Sequence, residues 1–313
     1  VLQMLGVRAQ TLYAYVSRGW IRSIRQPERK ERLYLRSDVE RMRARSRARA
    51  GHGAVAAAAM HHGEPIISTS ITEITPLGPR YRGHAAIDLA RRGATYEAVA
   101  ELLWSGLWHD VAPRWPVVRP GAGVRRVLDS ISPAQAHGRL IEVFAAVTLQ
   151  LGLARGSVAE RLQGGHALDA ARQVITTLVG CCGLLAAPAR FVTLAHGASI
   201  AEGFLQALRA TPSDENREAI ETMLVLLADH ELSPGTFAVR VSAAGGATLH
   251  GCIASGLCAS AGLQVARVFD RVDELLHGAS TVEQLLRSAR ALRSRGVAAP
   301  GFEHPLYPQG DPR

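Results

Sequence analysis

Two stretches of the sequence carry side chains that could contact a ligand. In "LLADHELSPG", His230 lies between two acids where a predicted helix runs into Ser-Pro-Gly. A histidine at a helix end beside a loop is well placed to present a ring nitrogen. The last stretch of the chain, "GFEHPLYPQGDPR", places His304 and Arg313 among glycines and prolines. It is either a frayed tail or part of an active site, and His230 by itself is also typical of a structural histidine.

No pattern of cysteines or histidines favours a metal site. The cysteines are Cys181, Cys182, Cys252 and Cys258. None forms a CxxC pair and all lie in apolar surroundings, which favours buried free thiols in a reducing cytoplasm. His61 and His62 are adjacent, a poor spacing for two ligands on one helix. We expect no metal centre and no bound cofactor.

The composition is that of a soluble globular protein with two or three domains. Of 313 residues, 47% are apolar and 20% are charged, as in ordinary folded chains. No signal peptide opens the sequence, so we expect a cytoplasmic protein. The uncharged stretches 173–189 and 241–266 imitate membrane spans, but their Gly, Ser, Thr and His content favours helices packed inside a helical protein.

The positive charge of the chain is confined to its N-terminal part. Residues 1–50 hold 13 of the 36 Lys and Arg but 4 of the 27 Asp and Glu, and the rest of the chain is neutral. Within this part, a turn at Gly6 precedes apolar residues at helical spacing, which predicts two short helices. "RLYLR" alternates and predicts a small strand or wing, and "SDVE" fits a capping box that opens an arginine-rich helix.

This part resembles the MerR-type helix-turn-helix. The resemblance implies that DNA is contacted by Arg8, Gln10, Thr11, Tyr13, Arg18, Arg22 and Arg25, with the last three near phosphates. A solvated basic segment without a partner is the alternative interpretation. Residues 51–63 have the composition of a linker.

The rest of the chain is predominantly helical in pattern and resembles citrate synthase. It lacks a phosphate-binding loop motif and a fixed repeat. The resemblance is carried by three segments in order: "ITEITPLGPRYRGHAAIDLA", "LLADHELSPGTFAVRVSA" and "GFEHPLYPQGDPR". It implies an all-α fold, with a winged helix-turn-helix over residues 1–50 and a large helical domain over 64–265. Residues 266–313 would begin a smaller, truncated domain, and the protein would be a homodimer.

The resemblance also implies a reaction and roles for three residues. Members of the family condense acetyl-CoA with oxaloacetate to give citrate and CoA, so acetyl-CoA would be a substrate rather than a cofactor. His304 matches the histidine that polarises the ketone of oxaloacetate. His230 matches an oxaloacetate-binding histidine, and Arg313 matches the arginine that binds a carboxylate.

The sequence departs from the family pattern at three places. An ungapped count from "DHE" puts Val265 where the family has the histidine that stabilises the enol, and we interpret the nearby His250 as a core residue. Glu303 stands where the family has glycine. The family's base Asp and a further Arg would follow Arg313, so we expect little or no turnover from this chain. The alternative function is a DNA-binding regulator that uses the fold to sense oxaloacetate or a CoA ester.

Overall fold

The computed structural model divides the chain into two compact units, Val1–Ser68 and Thr69–Arg313. It describes residues 1–17, 20–25, 32–35, 38–39, 42, 69–111, 113–117, 119–154, 166–230, 233–297, 299–302, 304, 306–307 and 310–313. The units are considered separately below as the N-terminal unit and the body.

The N-terminal unit contains two short helices and a hairpin. Helix α1 spans Leu2–Leu5 and α2 spans Ala9–Ser17. Gly6 ends α1 with φ 63°, a left-handed conformation that favours glycine. Strand β1 (Ser23–Arg25) pairs antiparallel with β2 (Arg32–Tyr34), which lies inside the stretch predicted as a strand. Five buried residues form its core: Leu5, Leu12, Ile21, Val39 and Met42.

The assignment of this unit as a winged helix-turn-helix of the MerR type stays a prediction. Its helices and hairpin occur in the expected order. The predicted capping box rests on Ser37 and Glu40, which lie outside the described residues, as does the predicted end of the second helix at Gly19.

The body opens with a small sheet that the expectation of an all-α fold missed. Strands β3 (Thr72–Thr75), β4 (Gly78–Tyr81) and β5 (His84–Ala85) form an antiparallel meander. Strands this short cannot display the alternation by which strands are recognised in a sequence. Gly78 and Gly83, with φ 109° and 88°, permit the tight hairpins.

Twelve α-helices are described in the rest of the body, which is therefore mostly helical. The first eleven follow the sheet in order. They are α3 (Ala86–Arg91), α4 (Tyr96–Ser105), α5 (Ala122–Asp129), α6 (Pro133–Gly138), α7 (Leu140–Leu153), α8 (His166–Cys181), α9 (Ile200–Leu208), α10 (Asp214–Leu226), α11 (Pro234–Ala244), α12 (Leu249–Ser260) and α13 (Leu263–His277). A further helix, α14 (Val282–Ser294), follows them. The proposed division of the body at residue 265 stays a prediction.

Small residues allow three helices of the body to pack closely. A Cβ added to Gly235 of α11 would lie 2.5 Å from Ser260 Oγ of α12. A Cβ on Gly152 of α7 would lie 2.8 Å from the Cβ of His250 on α12. His250 is 3% exposed, as its interpretation as a core residue requires. Glycine at these positions therefore sets the separation of α7, α11 and α12.

The two membrane-like stretches have different structures. Ala167–Leu185 is the one described helical stretch that is long and apolar enough to cross a membrane, and 56% of its most apolar window is buried inside the protein. The stretch 241–266 is not one helix, because α11 ends at Ala244 and α12 begins at Leu249. Burial of the first and interruption of the second fit helices of a packed body.

The four cysteines are free, but one corrects the sequence analysis. Cys181, Cys182 and Cys252 are buried, whereas Cys258 is exposed. Burial raises the pKa of Cys181 to about 12 and that of Cys182 to about 11, since a thiolate is poorly solvated there. Cys258 lies near the end of α12, where an apolar sequence neighbourhood does not ensure burial. No group of three potential metal ligands occurs among the described residues.

Candidate functional site

His230 lies in the turn after helix α10, and a tyrosine from the small sheet holds that turn. The Tyr81 hydroxyl of β4 donates to the carbonyl oxygen of Leu226 at 3.0 Å. The N–H of Asp229 lies 3.5 Å from the same hydroxyl oxygen. Tyr81 is fully buried, and burial raises its pKa to about 12 because the phenolate would lose its hydration. The sheet thereby fixes both sides of the turn that leads to His230.

The described residues of the terminal segment include a turn with backbone hydrogen bonds. The N–H of Tyr307 donates to the carbonyl oxygen of His304 at 2.9 Å, and that of Gly310 donates to the carbonyl oxygen of Tyr307 at 3.0 Å. A Cβ on Gly78 would lie 3.5 Å from Pro312 Cγ, so the "DPR" end packs against β4. The described end of the segment therefore packs against the sheet that also holds the His230 turn.

The three residues predicted to contact the substrate lie in one cluster. The ring centroids of His230 and His304 are 4.4 Å apart, with the rings edge to face at 78°. Arg313 lies beside them: its Cζ is 5.9 Å from the centroid of the Tyr307 ring, which is itself 5.5 Å from the His230 ring. Segments more than seventy residues apart in sequence thus converge at this point.

The cluster favours a neutral His230. Burial lowers the pKa of His230 to about 4, and the charge of Arg313 and the neighbouring His304 act in the same direction. Asp311 opposes them but does not reverse the shift. At neutral pH the ring therefore offers one N–H donor and one nitrogen acceptor.

His304 is oriented to donate from its outer nitrogen. The N–H of Leu306 donates to Nδ1 of His304 at 3.2 Å. In a neutral ring, the proton then lies on Nε2. A ring with this tautomer can polarise a carbonyl oxygen by donating from Nε2, which is the role that the sequence predicts for His304.

Arg313 is paired with an acid that the sequence analysis did not select. Its Nε and Nη2 donate to the two carboxylate oxygens of Asp311 at 3.0 Å and 2.5 Å. Arg313 and Asp311 have side chains that are 13% and 16% exposed. The hydrogen bonds from Arg313 keep the pKa of Asp311 below its ordinary value. The pair holds the guanidinium in place and leaves part of its donor set for a ligand carboxylate.

Tyr81, Tyr307 and Asp311 are therefore members of the cluster that sequence reasoning missed. Each lies in one of the three segments that carry the resemblance, which is the signal that could have selected them. The structure describes little of the residues that depart from the family pattern. Val265 lies in the first turn of α13, but its side chain is outside the described part, as is Glu303.

The predicted DNA contacts fall into three groups. Arg8, Gln10 and Tyr13 are exposed on or beside α2, and Thr11 is half-buried. Arg22 is paired with buried Asp38, to which its Nε donates at 2.8 Å. That hydrogen bond raises the pKa of Arg22. Of the remaining two, Arg18 lies outside the described residues and Arg25 belongs to β1, with its side chain outside them.

Comparison with known proteins shows the family to which the body is similar. Residues 60–313 match the family described as "Citrate synthase, C-terminal domain". "Citrate synthase 2" of Bacillus subtilis is 34% identical over 115 residues, which are 36% of this chain and 31% of that protein. "Putative citrate synthase 2" of Mycobacterium tuberculosis is 25% identical over 248 residues, 75% of this chain and 61% of that protein. The chain thus spans less than two thirds of the length of these relatives.

Solved structures agree with the fold. Citrate synthase from Pyrobaculum aerophilum superposes with a TM-score of 0.57 at 22% identity, over 78% of this chain and 65% of that one. The enzyme from Thermoplasma acidophilum, solved as a ternary complex with carboxymethyl coenzyme A and oxaloacetate, gives 0.54 at 17% identity, over 80% and 68%. At these identities the likeness concerns the fold.

Proposed function

The chain belongs to the citrate synthase family, and we propose on that premise that its body binds oxaloacetate for a citrate synthase-type condensation with acetyl-CoA. The observation that carries the proposal is the convergence of two histidines and one arginine. The His230 and His304 rings are 4.4 Å apart, and Arg313 lies beside them. Such a set matches a ligand that carries both a ketone and carboxylates.

Each residue has a distinct part in the proposed complex. The Nε2–H of His304 donates to the ketone oxygen and withdraws charge from the carbon that is attacked. Arg313 binds a carboxylate through its forked donors. His230 contacts the ligand from the turn after α10 as a neutral ring, since its pKa is lowered to about 4 by burial and by the charge of Arg313.

In the condensation, the methyl carbon of acetyl-CoA loses a proton and attacks the ketone carbon. Hydrolysis of the resulting thioester by water then releases citrate and CoA. The side chain of Val265, which the ungapped count puts where the family stabilises the enol, has no hydrogen-bond donor, and loss of one such donor typically costs about 10²–10³ in rate. We therefore expect ketone-side binding to be better preserved in this chain than turnover.

The ketone is the feature of the ligand that tests this proposal. Calorimetry should show that oxaloacetate binds more tightly than succinate, which has both carboxylates but no ketone. The variant His304→Ala should lose that preference and bind the two compounds alike. His277→Ala removes an exposed histidine of α13 and is the matched control. An unchanged preference in His304→Ala, or no binding by the wild type, would contradict the proposal.

Turnover is measured separately by thiol release from acetyl-CoA in the presence of oxaloacetate. We expect thiol release to be slow even where oxaloacetate binds, because the side chain of Val265 cannot donate a hydrogen bond to the enol. Rapid release would show that the enol is stabilised by another group and that our placement of Val265 is wrong.

A regulator is the second candidate, and one observation and one prediction favour it. The N-terminal unit is basic and exposes Arg8, Gln10 and Tyr13. The ungapped count puts Val265 in place of the enol-stabilising histidine, whereas the predicted ligand-binding residues are retained. In this alternative, oxaloacetate or a CoA ester acts as the signal and DNA as the target. Retention of the protein on DNA at low salt, lost as salt is added, distinguishes it from a protein that is only an enzyme.

A further inference from the structure

Tyr307 lies at the centre of the candidate site, although the sequence analysis predicts no role for it. It is 3% exposed. Its ring centroid lies 5.5 Å from that of His230 and 5.6 Å from that of His304. The Cζ of Arg313 lies 5.9 Å from the same centroid. One tyrosine ring therefore contacts all three groups assigned to the ligand.

The hydroxyl of Tyr307 makes a directed contact to one nitrogen. It lies 2.9 Å from Nε2 of His230. The buried His230 ring is neutral, because its pKa is lowered to about 4. A phenolic O–H is a stronger donor to a neutral ring nitrogen than a ring N–H is to a phenolic oxygen. Tyr307 is therefore the donor and Nε2 the acceptor, which leaves the proton of the ring on Nδ1.

This hydrogen bond fixes the tautomer and the orientation of the His230 ring. A neutral histidine has two tautomers of similar energy, and a ring without fixed partners can also rotate about its side-chain bonds. A ligand that needs one tautomer and one orientation must then select it at the cost of affinity. A donor held on Nε2 stabilises one tautomer and one orientation of the ring in the ligand-free protein, so binding does not have to supply that free energy.

We propose that Tyr307 is a positioning residue that fixes the tautomer and orientation of His230 for the bound ketodicarboxylate. The inference rests on the proposed function for its ligand, but its structural part is independent of any ligand. Tyr307 acts through His230 and takes no part in bond making. Its ring also packs against His304 and Arg313, so that the hydroxyl and the ring have separable effects.

The variant Tyr307→Phe tests the hydroxyl alone, because the ring and its packing are kept. Nitrogen-15 NMR of the ligand-free protein should show Nε2 of His230 as an acceptor in the wild type and a mixture of tautomers in Tyr307→Phe. Oxaloacetate affinity should fall about 2–10-fold, the range of one net hydrogen bond. Tyr96→Phe is the control, because Tyr96 is a tyrosine of the body that packs on Trp115, outside this cluster.

The outcomes separate this inference from the proposed function. If the wild type binds oxaloacetate and Tyr307→Phe keeps both the tautomer and the affinity, the positioning role is wrong. If Tyr307→Phe binds more tightly, the hydroxyl competes with the ligand for Nε2 and the role is again wrong. If the wild type does not bind oxaloacetate while the tautomer changes in Tyr307→Phe, the proposed function fails, and with it the ligand part of this inference.

Discussion

At the scale of residues, each predicted ligand-binding side chain of the site is oriented by a hydrogen bond from or to a neighbouring group. Arg313 is oriented by Asp311, His230 by Tyr307, and His304 by the backbone N–H of Leu306. In each case a second group determines which donor or acceptor faces the ligand. A substitution in this set therefore tests orientation as well as contact.

Arg313 provides a residue-scale prediction. Arg313→Ala should weaken oxaloacetate binding by about 1.5–3 kcal/mol, the typical value for a hydrogen bond to a charged group. Arg313→Lys keeps the charge but loses the fork, so it should recover only part of the affinity. Calorimetry measures both, with the exposed Arg290→Ala of α14 as control. Equal affinity in wild type and Arg313→Ala would remove this residue from the site.

The residues of this cluster also show what a sequence can predict. His230, His304 and Arg313 were selected because their segments resemble a family in order and composition, and the structure brings them together. Tyr307 and Asp311 were not selected, because a partner in a hydrogen bond is decided by the path of a turn rather than by residue type. Their roles, like those of the selected residues, stay predictions until ligand binding is measured.

At the scale of elements, buried carboxylates connect the helices around the site. Glu221 of α10 accepts the N–H of Tyr96 at the start of α4, at 2.8 Å. Glu97 of α4 accepts the N–H of Ile200 at the start of α9, at 2.7 Å. A carboxylate at a helix start satisfies a backbone donor that has no partner within the helix. The same burial that makes these caps effective also makes their ionisation costly.

Glu221 provides the element-scale prediction. Burial raises its pKa to about 7, and the nearby Glu97 contributes in the same direction. The folded state therefore binds this proton more tightly than the unfolded state, whose carboxyl titrates at its ordinary pKa. The stability that Glu221 supplies is fully present below that ordinary pKa and is lost as the pH rises through about 7.

The test compares Glu221→Gln with the wild type by urea unfolding at pH 5 and pH 8. Glutamine keeps an acceptor oxygen without a charge, so its relative stability should increase with pH, by on the order of 1–3 kcal/mol. Glu218→Gln changes an exposed carboxyl on the same helix and should show no such increase. His230 titrates in the opposite sense but is common to all three proteins, and its effect cancels. A pH-independent difference would mean that Glu221 is not the group that titrates.

The elements also show where periodicity fails. The long helices of the body were recognisable from apolar spacing, whereas β3, β4 and β5 contain too few residues to show a period. The small sheet nevertheless positions Tyr81 and receives Pro312. The element that was hardest to predict is therefore the one that holds two of the three site segments.

At the scale of the whole molecule, the first prediction concerns the oligomeric state. We predict a homodimer formed through α11 and α12, because their small side chains permit close approach of a second pair of helices. Val241 of α11 is 56% exposed, and Leu249 of α12 is 36% exposed. Light scattering at micromolar concentration should give twice the mass of one chain, and Val241→Asp should lower it. A wild-type mass of one chain would contradict the prediction.

The second whole-molecule property is whether the two units serve one function. Residues 1–50 of the N-terminal unit carry the net charge of the chain, and the rest of the chain is neutral, so we predict that DNA binds through the N-terminal unit alone. Affinity should fall with salt by a slope of about 0.9 for each phosphate contacted. Arg25→Ala, at a residue that the resemblance puts near a phosphate, should reduce that slope by about one, whereas Arg290→Ala in the body should leave it unchanged.

Oxaloacetate then decides between the two candidate functions. If the body senses this ligand for the N-terminal unit, oxaloacetate must change DNA affinity, and DNA must change oxaloacetate affinity by the same factor, because binding free energies at two sites are linked reciprocally. His304→Ala, which should no longer recognise the ketone, should abolish this coupling while leaving DNA binding intact. Fluorescence anisotropy of labelled DNA, with and without oxaloacetate, measures the effect. DNA binding that is insensitive to oxaloacetate in the wild type would separate the units functionally and leave the condensation as the function of the body.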